Sequence, residues 1–199
     1  MVIHDPNTQR IGGPRRPIAR QTEAELRALD AGAWKHPCWT GERIPRLRDV
    51  LATVPRHGRL FIEMKEGPET VTPLVADLAA SKLDPAQALV MSFHPETVEA
   101  AARRLPGHEV CLLLRARDYT PKDALQRAIA NARARGARSL NLEAHRRLDE
   151  NTITVAHEAG LKIYVWTVNR VFTARRLAAA GIDGITTDRC AWLTAQLDR

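Results

Sequence analysis

Glu63 and Lys65 stand two residues apart in the run Leu60-Phe61-Ile62-Glu63-Met64-Lys65. Strand side chains alternate with period two, so the pair would project from one face. The surrounding apolar residues suit a strand buried on both faces, where an unpaired charge is costly. The two charges therefore belong at a strand end with partners. A Glu–Lys pair on a solvated edge strand is the competing reading. Other polar groups that could bind a ligand recur at the ends of later apolar runs: Ser92, Glu143, Trp166-Thr167 with Asn169, and Thr187-Asp188. Each also has a plain alternative, since Ser92, Thr187 and Asp188 can cap helices and Trp166 can be core. His4-Asp5 could do acid–base work, although a His beside an Asp in a loop is more often incidental.

The elements that must position these groups alternate along the chain. Residues 5–20, rich in Pro and Gly, form a loop. Thr22 and Glu25 make a capping box that opens a helix carrying Leu26 and Leu29, with Gly32 as its stop. After a loop over 33–44, Pro45 starts a second helix, and the 60–65 strand follows. Helices are then expected at 70–82, 96–104, 122–135, 149–159, 170–180 and 190–197. Strands are expected at 88–93, 109–114, 138–142, 162–168 and near 184–187, with a short strand at 1–4. That makes eight helices around six central strands. Strict alternation implies a parallel sheet with helices packed outside it, and ligands in such proteins bind at the carboxyl ends of the strands.

The 199 residues carry a formal net charge of +7. The arginines are spread over separate segments without interleaved aromatics, which argues against nucleic-acid binding and leaves a basic surface that favours an anionic substrate. No apolar run approaches the roughly 18–20 residues of a membrane span. Cys38, Cys111 and Cys190 lack metal-ligand spacing and suit a reducing cytoplasm. No tract divides the chain, so residues 1–199 read as one domain.

Several segments resemble one family. His4-Asp5-Pro6-Asn7-Thr8-Gln9-Arg10 is similar to the His-Asp-x-x-x-x-Arg motif of the glycerophosphodiester phosphodiesterases, and the helix from Thr22 to Gly32 resembles the one that follows there. Ile44-Pro45-Arg46-Leu47, Ile62-Glu63-Met64-Lys65, Ser92-Phe93, Trp166-Thr167-Val168-Asn169 and Gly184-Ile185-Thr186-Thr187-Asp188-Arg189 match further motifs in the family's order. Cys190 stands where the family usually has Pro.

The resemblance implies a TIM (β/α)8-type barrel that uses Ca²⁺ or Mg²⁺ to cleave glycerophosphodiesters into glycerol 3-phosphate and an alcohol. By the same resemblance His4 is one of two acid–base histidines and Glu63 one of three metal carboxylates. Lys65 offsets phosphate charge, and Trp166 lines the glycerol side. The family's first strand with its His-Arg pair, its first helix, and its second strand with its Glu-x-Asp pair have no counterpart after Met1. The expectation is therefore an incomplete barrel of impaired activity, with open sheet edges that offer self-association. Its alternative is an inactive fragment with at most weak anion binding or partner docking. An internal Met taken for the start is expected in preference to natural truncation.

Overall fold

A computed structural model describes residues 1–198 of the chain. They form two compact units, one from residues 1–56 with 77–82 and one from residues 57–76 with 83–198.

In the first unit, Glu23–Ala28 (α1) opens on the expected capping box: Glu25 N–H donates to Thr22 Oγ1 at 3.3 Å, and Thr22 N–H donates to Glu25 Oε2 at 2.8 Å. The helix ends sooner than expected, because Leu29 is already extended. Gly32 is therefore not its stop. Its role is steric: a Cβ there would lie 1.9 Å from the carbonyl oxygen of Trp39. Leu47–Leu51 (α2) follows, with the Asp49 carboxylate accepting the Arg46 N–H. Ile11, Leu26 and Ile44 make a small core, against which Ile3, Ile18, Leu29 and Ala31 pack. The expected strand at residues 1–4 does not form. Among the described residues Val2 N–H donates to Pro45 O at 2.9 Å with no backbone bond returned to residues 1–4, and the chain bends from His4 onward.

The sheet lies in the second unit. Its strands are Leu60–Glu63 (β1), Ala88–Ser92 (β2), Glu109–Leu114 (β3), Ser139–Glu143 (β4), Lys162–Trp166 (β5) and Gly184–Ile185 (β6). They pair in sequence order, every pair parallel. Six parallel strands were expected, and β1 and β6 are its open edges. The connecting helices are Val71–Ala80 (α3), Pro95–Arg104 (α4), Ala124–Ala134 (α6), Glu150–Glu158 (α7) and Val171–Ala179 (α8), and Cys190–Leu197 (α9) follows β6. One turn went unread in the sequence: Ala116–Tyr119 (α5) sits directly after β3 and raises the described α-helices from the expected eight to nine. Gly136, Gly160 and Gly181 end α6, α7 and α8 with φ of +76°, +78° and +86°, where only glycine is unstrained.

Register decides which residues share a face. Pairing sets Glu63 beside Met91, Met91 beside Cys111, Leu113 beside Asn141, and Glu143 beside Trp166. These project from one side of the sheet, where Leu89, Cys111 and Tyr164 cluster with Phe61 and Met91. The alternate residues Val90, Leu112, Leu140, Leu142, Ile163 and Val165 are almost fully buried on the other side. No helix among the described residues is long and apolar enough to cross a membrane.

Candidate active site

In the first unit, His4 Nδ1 lies 2.9 Å from Asp5 Oδ1, and Arg10 Nε donates to Asp5 Oδ2 at 2.5 Å. The Arg10 guanidinium, and next the His4 ring, hold the Asp5 carboxyl at about 2, well below the usual carboxylate range. Asp5 is thus ionised at neutral pH and can only accept hydrogen bonds. Nδ1 of His4 must therefore carry the proton, which leaves Nε2 open as a proton acceptor. The His4 side chain is 80% exposed, so Asp5 is what orients it.

In the second unit, the expected groups stand at the carboxyl ends of the strands. Lys65 Nζ donates to Glu63 Oε2 at 2.9 Å, the pairing that the two-residue spacing required. Ser92 donates to Met64 O at 2.7 Å and accepts the N–H of His94 at 3.1 Å, so it ties β2 to the end of β1 and begins the turn into α4. Trp166 ends β5, and its indole N–H reaches Asn141 O at 3.2 Å. Asn169 joins Thr187 and Asp188: it donates to Asp188 Oδ2 at 2.7 Å and accepts from Thr187 Oγ1 at 2.9 Å. These bonds fix the loops after β5 and β6.

Glu63, Lys65 and Trp166 thus share one end of one sheet, and His4 belongs to the other unit. Glu143, one of the strand-end groups that the sequence offered for ligand binding, is engaged structurally. Its carboxylate accepts the Ala116 N–H at 2.9 Å, and its carbonyl accepts Tyr119 O–H at 2.6 Å. Sequence reasoning missed Phe93 and Arg115. Phe93 meets Trp166 edge-on, and the Arg115 guanidinium lies 4.7 Å from the Phe93 ring centroid. The available signal was position, since each follows directly on the end of a buried strand.

The donors can be tested against a cation. Among the described residues no three His, Cys, Asp or Glu side chains gather as a metal group. With Glu63 Oε2 on Lys65, the strand ends offer one remaining carboxylate oxygen of that residue. Glu63 is thus one donor toward a cation and not a self-contained metal site.

The sequence matches the Glycerophosphoryl diester phosphodiesterase family over residues 1–191. It is 33% identical to YhdW of Bacillus subtilis (strain 168) over 190 residues, covering 94% of this chain and 76% of that protein. It is 25% identical to a glycerophosphodiester phosphodiesterase of the same organism, covering 94% and 68%. In fold it resembles an Oleispira antarctica phosphodiesterase solved in complex with the product sn-glycerol-3-phosphate. That comparison has a TM-score of 0.86 and 23% identity, and covers 99% of this chain and 78% of the other. A glycerophosphodiester phosphodiesterase from Thermotoga maritima gives a TM-score of 0.72 at 20% identity, covering 97% and 77%. Such enzymes generally depend on a divalent metal. With six parallel strands in sequence order and these likenesses, the fold is an incomplete (β/α)8-type barrel, and the chain belongs to the glycerophosphoryl diester phosphodiesterase family.

Proposed function

We propose that the chain hydrolyses glycerophosphodiesters to glycerol 3-phosphate and an alcohol, slowly because the described residues gather no three-donor metal group, and that residues 1–199 act as one domain. The observation that supports this most is the His4 imidazole, anchored at Nδ1 to an ionised carboxylate and open at Nε2. Hydrolysis takes a proton from the attacking water and gives one to the leaving alcohol oxygen as its bond to phosphorus breaks. Nε2 can serve either transfer. Each is worth roughly 10²–10⁴-fold. Lys65 neutralises phosphoryl charge, and Trp166 lines the glycerol side. Glu63 is the chain's own contribution to a divalent cation, Ca²⁺ or Mg²⁺. Mg²⁺ sites are commonly completed by substrate phosphate and water around one or two carboxylates.

The substrate is a small anionic phosphodiester rather than nucleic acid, and the free thiols of Cys38, Cys111 and Cys190 suit the cytoplasm. Release of glycerol 3-phosphate from glycerophosphocholine, and cleavage of a bis-aryl phosphodiester, test the reading. Turnover should be abolished by chelator, by Glu63→Ala and by His4→Gln. Turnover indifferent to all three would remove these residues from the reaction.

One observation favours a second reading. The lack of a three-donor metal group among the described residues suits an inactive barrel fragment that binds anions weakly or self-associates through the edges of β1 and β6. No turnover, with a concentration-dependent dimer in sedimentation, would support it.

A further inference from the structure

An exposed histidine is oriented only as well as the group that holds it, and an exposed ion pair is ordinarily loose. Arg10 is exposed too, yet it has a second contact: its guanidinium carbon lies over the Trp34 ring, 4.3 Å from the ring centroid. Arginine stacks on an aromatic face while keeping its N–H fork in plane, so the ring restrains the plane that meets Asp5.

Both ends of this contact are anchored. Arg10 lies in a single 3₁₀ turn, Gln9–Ile11, whose Ile11 is in the core with Leu26 and Ile44. Trp34 donates its indole N–H to Ala31 O at 2.8 Å, and Ala31 packs on that same core. The loop that carries Trp34 is closed by one carboxylate. Asp30 accepts from Gly32 N–H and Ala33 N–H at 2.9 Å each and from Gly41 N–H at 2.8 Å. Trp34 is nevertheless 47% exposed, so filling the core does not by itself account for its ring face being spent on an arginine.

We propose that Trp34 is a positioning residue for His4, acting through Arg10 and Asp5 to hold the imidazole in the tautomer that leaves Nε2 free. This rests on the acid–base reading of His4 given above. The chain of contact is Trp34 ring, Arg10 guanidinium, Asp5 carboxylate, His4 Nδ1–H. Asp5 holds the imidazole directly, and Arg10 holds Asp5. Free histidine favours the opposite tautomer, with the proton on Nε2, so loosening the clamp lets the ring revert.

The test is the ¹⁵N spectrum of the His4 side chain in its neutral form, assigned by its loss in His4→Gln. This readout does not depend on turnover, so it can fail while the hydrolase reading stands, and the reverse. The full chain should show Nδ1 protonated and Nε2 bare. Trp34→Leu should lose that signature and move toward the Nε2–H form, as should Arg10→Gln, whereas Trp34→Phe should retain it. The backbone amide spectrum of each variant reports whether it is folded. If Trp34→Leu does not fold, the Arg10→Gln and Trp34→Phe pair decides. A folded Trp34→Leu or Arg10→Gln with the original tautomer overturns the proposal, and so does a Trp34→Phe that loses it.

Discussion

Phe93 stands edge-on to Trp166, with ring centroids 5.7 Å apart and planes at 85°. The contact ties the residue after β2 to the last residue of β5, two strands that are not neighbours in the sheet. Arg115, after β3, completes the stack on Phe93. An aromatic pair contributes about 0.5–1.5 kcal/mol beyond its buried area, and an exposed cation–π contact about 0.5–1 kcal/mol. Phe93→Leu should therefore cost about 1–2 kcal/mol in urea denaturation, and Arg115→Met less than 1 kcal/mol. Equal losses for both would show that the aromatic pair contributes nothing.

That relationship also marks where the sequence was legible. The alternation of apolar runs with glycine-closed helices gave all six strands, and the spacing of Glu63 and Lys65 gave their pairing, because both follow from local periodicity. The Phe93–Trp166 contact joins residues 73 positions apart, which no local period reports. The same holds for Arg10 and Trp34. The strand expected at residues 1–4 failed for the complementary reason: a strand-like run becomes a strand only where a partner can return its hydrogen bonds. Glu143 shows that a carboxylate at a strand end can be consumed by capping a turn that the sequence did not announce.

The opposite end of the sheet carries a pH dependence. Glu109, only 11% exposed, accepts from Lys162 Nζ at 3.0 Å, Arg59 Nη2 at 3.1 Å and Tyr164 O–H at 2.9 Å. Burial alone would raise its pKa, but the hydrogen bonds from Lys162 and Tyr164 outweigh burial and lower it. A depressed carboxyl contributes stability above its unfolded pKa of about 4.3 and loses it as pH falls through the folded value. Burial, ahead of its polar contacts, pushes Tyr164 up to about 12. An acid raised in this way contributes stability below about pH 10 and loses it as pH rises toward about 12. Urea midpoints against pH should fall at both extremes. Glu109→Gln should flatten the acid limb and Tyr164→Phe the alkaline one. An unchanged acid limb in Glu109→Gln would remove this cluster as its source.

Gly32 offers a steric test in the first unit. Its missing Cβ would fall 1.9 Å from Trp39 O and 2.8 Å from the carbonyl carbon, both backbone atoms that cannot move without opening the loop. Gly32→Ala should destabilise by about 1–3 kcal/mol, the usual range for overpacking, measured by urea denaturation. Gly41→Ala has open space around its Cβ but a φ of +95°, so it should cost about 1 kcal/mol through backbone strain instead. A neutral Gly32→Ala would mean that the loop is not closed as described.

Asn141 sits on the inner face of β4 at 1% exposure, in register with Tyr164 on β5 and Leu113 on β3. Among the described residues its amide nitrogen reaches only a thioether, Met91 Sδ at 3.5 Å, and its Oδ1 has no hydrogen-bond partner. A buried acceptor left unpaired carries a desolvation cost of about 1–3 kcal/mol, whereas an apolar group of similar size carries none. Around it lie Met91, Cys111, Leu113 and Tyr164, a setting that can accept a leucine's methyl groups. The contact from Trp166 Nε1 goes to the Asn141 backbone carbonyl and survives any change of side chain. Asn141→Leu should therefore leave stability unchanged or raise it by about 1 kcal/mol. Asn141→Ala should lower it by leaving a cavity. A leucine variant less stable than the wild type by more than about 1 kcal/mol would show that Oδ1 is satisfied by bound water and that the polar group is a structural requirement of the sheet interior.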